Sequence, residues 1–408
     1  MIEPSGLRMK VCDVVQSYSD TGGGIRTYLS EKRAFIERNP RIGHVIIVPG
    51  ERDSKTQDGG LIRYTVKSAA VPCCSPYRFL LRFDKLLSIL MEEEPDVIEF
   101  GCGYMLPFAG AVHRSRKPCS LFGYYHTDYP DAYVADAVGR QFGVAFGNMA
   151  GIGARRYARA VYDLLDMTFV PSAALRDKLT RNGFGRVECV PLGVDLDLFN
   201  PVRRNAGIRR RFGLSDSDVL LVYAGRFDME KHTEIVLEAF QRISPVFKGK
   251  LLLIGDGPLK PMVSAYASKN PLIQTLPFQE NRKELAGFLA SSDIYVTAGP
   301  HETFGLSVLE AQASGLAVLG VNAGALRERL SAELGMLVDV GSVDGLGAAM
   351  LSLSENGFRR KGRMARAWVE SNFSWGKTFE RIFQNYGACS AARRKRLKSE
   401  ACSGLFSS

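Results

Sequence analysis

No uninterrupted apolar run in this 408-residue chain approaches the roughly 20 residues that a membrane-spanning helix needs. Its first residues, Met1-Ile2-Glu3-Pro4-Ser5-Gly6, lack the charged-then-apolar pattern of a secretory signal. Among its eight cysteines Cys73 and Cys74 are adjacent, yet no two show the C-x-x-C spacing of a zinc site or redox motif, and we read them as reduced, mostly buried thiols. Also missing are an internal repeat of fixed period and any motif that joins basic with aromatic residues as nucleic-acid binders do. These absences lead us to expect a cytoplasmic protein with no nucleic-acid partner.

What is present points to two domains of ordinary size, because 408 residues with 46% hydrophobic side chains exceed one comfortable core. A formal charge of +10 favours an anionic partner, such as a phosphorylated small molecule or a membrane surface. Short β-rich runs alternate with helical stretches throughout, the pattern of an α/β protein with parallel sheets. The strand candidates form two sets, 11–15, 44–48, 96–100, 120–124, 167–170 and 187–190, then 219–223, 251–254, 273–276, 294–296, 317–321 and 336–338. Between them Asp197-Leu198-Phe199-Asn200-Pro201-Val202-Arg203-Arg204-Asn205 has no periodicity and reads as an interdomain linker. We therefore expect one Rossmann-like domain over 1–199 and a second over 200–372. A closing helix over 373–386 and a basic, disordered tail over 387–408 follow. Doubly wound sheets carry ligand loops at the C-terminal ends of their strands, so two facing sheets are expected to share one site.

Three loops of the second set carry chemistry. After 219–223 comes Ala224-Gly225-Arg226-Phe227-Asp228-Met229-Glu230-Lys231, where Arg226 offers a planar fork and Lys231 a mobile point charge for a diphosphate. A solvated turn with ordinary helix-start charges explains this loop equally well. After 251–254 comes Gly255-Asp256-Gly257-Pro258, a tight turn that lets backbone approach a ligand but that also ends many strands. After 294–296 comes Thr297-Ala298-Gly299-Pro300-His301-Glu302-Thr303-Phe304-Gly305-Leu306-Ser307-Val308-Leu309-Glu310. Here Glu310 can accept hydrogen bonds from a ribose diol, and free amides at the helix start can bind phosphate.

In order and spacing, these loops with Ala311 and Gly315 resemble the C-terminal half of the family 4 glycosyltransferases, which are retaining, metal-independent enzymes of the GT-B fold. The resemblance implies that Arg226 and Lys231 grip the donor diphosphate and Glu310 holds the ribose. It likewise implies that Glu302, with Thr303 and the amides of Phe304, Gly305 and Leu306, contacts the transferred sugar. Gly225, Asp256 and Gly257 fall in its donor-binding loops. The first half is similar too. Thr21-Gly22-Gly23-Gly24-Ile25-Arg26 resembles the family's glycine loop, placing Gly23 and Gly24 by the donor phosphates, although its glycines lack the G-x-G-x-x-G spacing of a dinucleotide fingerprint. Tyr124-Tyr125-His126-Thr127-Asp128 resembles the His-x-Asp segment whose histidine reaches the reacting sugar. With Phe169-Val170-Pro171-Ser172, Val190-Pro191-Leu192-Gly193 and Phe373-Ser374-Trp375, the likeness spans 9–386.

Two features depart or mislead. Where the family often has Gly-Gly-x-Pro-Glu, this chain has Ala323-Gly324-Ala325-Leu326-Arg327-Glu328, and Asp195-Leu196-Asp197 spells a D-x-D string that we read as structural. The resemblance implies no metal and no cofactor. It implies transfer of a hexosyl group from a GDP- or UDP-linked donor to a hydroxyl of a glycolipid, lipid or saccharide acceptor. Rivals are another GT-B activity, such as a nucleotide-sugar 2-epimerase or a phosphorylase, and a non-catalytic nucleotide-sugar-binding module. The segment from Pro76 and Tyr77 to Leu87 sets Arg78, Arg82 and Lys85 at helical spacing beside an apolar face. It reads first as a domain helix and second as a peripheral contact with the anionic inner face of the membrane. Oligomeric state leaves no trace in these patterns.

Overall fold

The β-branched and aliphatic runs of the sequence become strands, and the polar, Gly- or Pro-containing stretches after them become the turns into helices. The structure, a computed structural model, describes residues 9–18, 23–70, 78–101, 103–215 and 217–404; Thr21, Gly22, Cys73, Cys74, Pro76 and Tyr77 lie outside them. The chain divides into Met1–Pro191 with Gly376–Ser408, and Leu192–Trp375.

The first unit is built on an eight-stranded sheet, in spatial order Val187–Cys189, Met167–Val170, Ser120–Tyr124, Val97–Phe100, Met9–Val14, Ile42–Gly50, Leu61–Lys67 and Ser54–Asp58. Every pairing is parallel except the last, a hairpin turned at Gly59-Gly60. The winding reverses between Met9–Val14 and Val97–Phe100, which makes a switch point at the C-terminal ends of those strands. Val14, Ile47, Leu90, Ile98, Phe100 and Leu121 lie in the core on one face. Within this unit the last helix, Trp375–Gly404, lays Phe379 against Tyr28 and Tyr386 against Phe122.

The second unit holds an all-parallel six-stranded sheet, in the order Ile273–Leu276, Gly249–Ile254, Val219–Ala224, Ile294–Val296, Ala317–Val321 and Gly335–Val338. Its winding reverses between Val219–Ala224 and Ile294–Val296. Strands buried on both faces read as continuous apolar runs, as Val219–Ala224 does.

All twelve expected strands are present, and four expectations need correction. The strands Leu61–Lys67 and Ser54–Asp58 are additional, the latter exposed along its whole length and therefore without an apolar signal. The stretch read as a linker is docked within the second unit. Arg366 donates to the carbonyls of Phe199 and Ala313, Arg204 donates to Ser292 O and pairs with Asp293, and Phe199 is fully buried. The division accordingly falls after Pro191 instead of after Phe199. The tail expected to be disordered from residue 387 is helical through Gly404, and Arg393 on it donates to Asp166 at 2.8 Å. Finally, Arg78, Arg82 and Lys85 share no helix face. Arg78 lies in the short strand Arg78–Phe79 and bonds Glu51, Arg82 precedes the helix Phe83–Glu93 and pairs with Asp84, and only Lys85 lies inside that helix.

Candidate functional site

The switch point of the second unit gathers three of the predicted residues. The loop after Val219–Ala224 carries Arg226 and Lys231, and the loop after the neighbouring Ile294–Val296 carries Glu302. The two loops touch: a Cβ on Gly299 would stand 3.3 Å from Lys231 Cα, so the bare glycine permits the approach. Lys231 Nζ donates to Glu302 Oε1 at 2.6 Å, with Glu230 Oε1 at 3.6 Å. Arg226 pairs with Asp228 and, at 2.9 Å, with Glu230. Burial pulls the Lys231 ammonium down, but Glu302 and Glu230 outweigh it and hold the group above the usual lysine range. Lys231 is therefore a permanent cation. Asp228 also accepts from Lys231 N at 2.9 Å, which fixes the turn that brings both cations to one place.

Beyond Glu302 the chain enters the helix Leu306–Ala313 through Gly305, whose φ of 77° lies in the left-handed region. First-turn amides of a helix have no intrahelical acceptor and present a positive end to an anion. Thr303 and Leu306 are half-buried at this mouth, whereas the Phe304 side chain is buried under the loop. Glu310 is 6% exposed and accepts from Arg282 Nη2 at 2.8 Å; burial raises its carboxyl despite that guanidinium. The buried hydroxyl of Tyr295 donates to Ala224 O at 2.9 Å and so ties together the ends of the two switch-point strands.

The Gly255–Gly257 turn has tasks of its own. A Cβ on Gly255 would meet Gly225 O at 1.9 Å, Gly257 has φ 151° and lies against Phe227 O, and Asp256 caps Gly257 N and pairs with Lys260 at 2.7 Å. Packing between adjacent strand ends thus explains these glycines. The D-x-D string is likewise accounted for: Asp195 Oδ1 accepts from the amides of Asp197 and Leu198.

In the first unit, Gly23 and Gly24 are exposed at the start of the helix Gly24–Glu37, with Gly23 at φ 105°. His126 follows Ser120–Tyr124, stacks on Tyr124 with ring centroids 4.4 Å apart, and meets the edge of Tyr28 at 5.0 Å. Its Cδ2 lies 3.7 Å from where a Cβ on Gly101 would stand, at the switch point of this sheet. Burial, and then Lys32, drop the imidazole from 6.5 to about 3, so it is neutral at physiological pH. Beneath it Lys32 donates to Asp13 (2.5 Å), Glu99 (3.0 Å) and Tyr386 Oη (2.9 Å), which uses all three of its N–H bonds.

Sequence reasoning missed two residues packed around these loops and gave a third, Gly324, no role. Arg282 is the partner of Glu310. Arg329 is buried between the rings of Phe304 and Phe373, at 3.8 and 4.1 Å, and donates to Phe304 O. Gly324, at φ 52°, lies against Glu302 O, and Ala325 N donates to that same carbonyl at 2.8 Å. The segment that departs from the family's Gly-Gly-x-Pro-Glu turn therefore props the Glu302 loop from behind. Its glycine was the available signal; the two arginines had none, since their partners are distant in sequence.

Residues 22–198 match the model of Glycosyltransferase Family 4 and residues 205–372 that of Glycosyl transferases group 1. Over 390 residues, 95% of this chain and 98% of the relative, the sequence is 28% identical to the GDP-mannose-dependent alpha-(1-6)-phosphatidylinositol dimannoside mannosyltransferase of Mycobacterium tuberculosis. Over 363 residues, 85% of this chain and 68% of the relative, it is 29% identical to the sulfoquinovosyl transferase SQD2 of Arabidopsis thaliana. Among solved structures, sucrose-phosphate synthase of Thermosynechococcus elongatus matches with a TM-score of 0.76 at 18% identity, covering 94% of this chain and 100% of that one. Anabaena HepE in complex with UDP-glucose matches at 0.70 and 16%, covering 93% and 100%. With one family match on each half, and cations and a helix N-terminus gathered at a switch point, the chain belongs to the group 1 glycosyl transferases of family 4, nucleotide-sugar glycosyltransferases of the GT-B fold.

Proposed function

We propose that the chain is a retaining hexosyltransferase that takes its sugar from GDP-mannose and passes it to a hydroxyl of a glycolipid, lipid or saccharide acceptor. The observation that carries this reading is the meeting of Arg226, Lys231 and Glu302 at the C-terminal ends of the two switch-point strands, beside the helix that opens at Leu306. A departing diphosphate carries the charge that dominates the barrier, and fixed cations and amides stabilise it without reorganising. Arg226, Lys231 and the first-turn amides have that task. Lys231 spends one N–H on Glu302 and has others to direct at phosphate oxygens.

Glu310 holds the ribose, and Glu302 meets the transferred hexose while orienting Lys231. His126, neutral and fixed by ring stacking, contacts the reacting sugar. With retention, the acceptor oxygen bonds the anomeric carbon on the face the diphosphate leaves, and a diphosphate oxygen takes the acceptor proton. No protein nucleophile is then required. The relatives' GDP-mannose dependence supports the donor base, and the phosphatidylinositol dimannoside in the name of one supports a lipid-linked acceptor.

Thermal-shift titration with GDP, GDP-mannose, UDP and UDP-glucose tests the donor, because a ligand bound only to the folded state raises its stability. GDP-mannose is expected to give the largest rise; stabilisation by the uridine compounds alone overturns the donor assignment. Nuclear magnetic resonance of the product reads the anomeric configuration, and an inverted product overturns retention. Conversion of donor without acceptor would instead identify an epimerase.

A further inference from the structure

The first unit carries a helical hairpin whose tip turns large apolar residues outward, while Ala158, Val161 and Tyr162 at its far end are buried. After the π-helical turn Pro130–Ala135, the helix Asp136–Phe142 meets the helix Val144–Tyr162 through Gly143, at φ 95°. Where the helices meet, the residues are small. A Cβ on Gly147 would stand 2.6 Å from Ala135 O and 2.7 Å from Gly139 Cα, and one on Gly151 would stand 2.9 Å from Ala135 Cβ. The large side chains point the other way: Phe142 is 61% exposed, Val144 76%, Phe146 61% and Met149 69%. A water-facing hairpin buries its large apolar face and exposes charge. Small residues at the helix contact with large apolar residues outside is the arrangement of helices in lipid.

The charge pattern names the occupant. Residues 141–154, Gln-Phe-Gly-Val-Ala-Phe-Gly-Asn-Met-Ala-Gly-Ile-Gly-Ala, contain no charged side chain. They are bracketed by Arg140 on one side and by Arg155, Arg156 and Arg159 on the other; Arg140 pairs with Asp136 at 3.0 Å, Arg155 with Asp131 and Arg159 with Asp163 at 3.4 Å, all close to the surface. Arg140, Arg156 and Arg159 are exposed. An apolar tip with a basic collar fits an anionic lipid surface, where rings enter the headgroup boundary and guanidinium groups meet phosphate. It disfavours a second copy of a chain of charge +10. No helix among the described residues is long and apolar enough to cross a membrane, so the hairpin would lie on the surface.

We propose that this hairpin docks the protein on an anionic lipid surface, with Phe142, Val144, Phe146 and Met149 entering the bilayer boundary and Arg140 and Arg156 contacting lipid phosphates. The proposal is independent of donor and reaction. The test is flotation of the full chain with vesicles of phosphatidylcholine and phosphatidylglycerol, compared with phosphatidylcholine alone, at low salt. Wild type is expected to float with the anionic vesicles, and Phe146→Asp/Met149→Asp to bind at least about tenfold more weakly with an unchanged circular dichroism spectrum. In a second variant, Val144→Trp, the added fluorescence is expected to shift blue on anionic vesicles and to be quenched by brominated lipid, a gain of signal that does not depend on a damaged surface. Absence of flotation by wild type, equal flotation of the double variant, or a water-exposed Trp signal in the presence of vesicles overturns the proposal. So does a dimer in sedimentation that the double variant dissociates, which would make a second copy the occupant.

Discussion

Each unit places a cluster of charged side chains beside the switch point of its sheet, and the two clusters differ in their access to water. In the first, Lys32, Asp13 and Glu99 have side-chain exposures of 0–2%, and every lysine N–H is used. In the second, Arg226 is 33% exposed, Lys231 24% and Glu302 13%. A sealed lysine between two carboxylates holds strands and helices together; a reachable one can exchange a carboxylate for a phosphate. Removing one partner of a buried pair leaves an unpaired charge, whereas a partly exposed pair relaxes into solvent. Mutation should therefore separate the clusters, stability answering at the first and turnover at the second.

The largest expected effect is at Lys32. Lys32→Ala strands Asp13, Glu99 and the Tyr386 hydroxyl and should cost about 3–5 kcal/mol of stability, read as a lower denaturant midpoint. A change of a few tenths would erase the contrast. Next comes Lys231→Ala, expected to raise the transfer barrier by about 2.7–4 kcal/mol while the thermal midpoint stays near wild type. Near-normal turnover, or unfolding, would assign this lysine to the fold.

The contrast also marks what sequence reading can reach. Most of the twelve strands were legible because buried parallel strands are continuous apolar runs, and the loops because each follows one of them within a few residues; the edge strands Val187–Cys189, Ile273–Leu276 and Gly335–Val338 are only partly buried. Lys32 was not legible, since its partners Asp13, Glu99 and Tyr386 come from three other elements, and a lysine on an amphipathic helix looks solvated. Arg282 and Arg329 escaped for the same reason. Ser54–Asp58 has no apolar period to read, and the linker looked free because its anchors, Arg204 and Arg366, bond to backbone carbonyls that no residue pattern encodes. The outward hairpin at 141–154 was hidden by its own composition, since apolar residues in a helix are ordinarily assigned to a core.

An effect confined to acid pH tests whether the folded chain keeps His126 neutral. The folded chain holds this imidazole at about 3 against an ordinary 6.5, owing to burial first and Lys32 second. Between those values the unfolded chain binds a proton that the folded chain does not. The stability contribution is therefore complete above pH 6.5 and is lost as pH falls toward 3, by up to about 1.4 kcal/mol per pH unit. Asp13, held at about 2 against an ordinary 3.8, adds its own loss only below that higher value. Chemical unfolding of wild type and His126→Phe across this range should show a shallower acid slope in the variant. Parallel slopes would mean that the ring is open to protonation in the folded state.

The smallest effect sharpens the second cluster. Glu310 is buried and its carboxyl is raised by that burial, while its partner Arg282 has a side chain 38% exposed. Glu310→Gln removes a poorly solvated charge, keeps an oxygen for Arg282, and frees the guanidinium toward water. Stability should therefore hold or rise slightly. A ribose diol, however, loses the charged acceptor that strengthens its hydrogen bonds. Donor use should fall by about tenfold, equivalent to about 1.4 kcal/mol, with more of the loss in donor affinity than in the chemical step if the residue grips the ribose away from the reacting carbon. A fall in stability with unchanged donor affinity would instead make the Arg282–Glu310 pair the counterpart, in this unit, of Lys32 and its carboxylates.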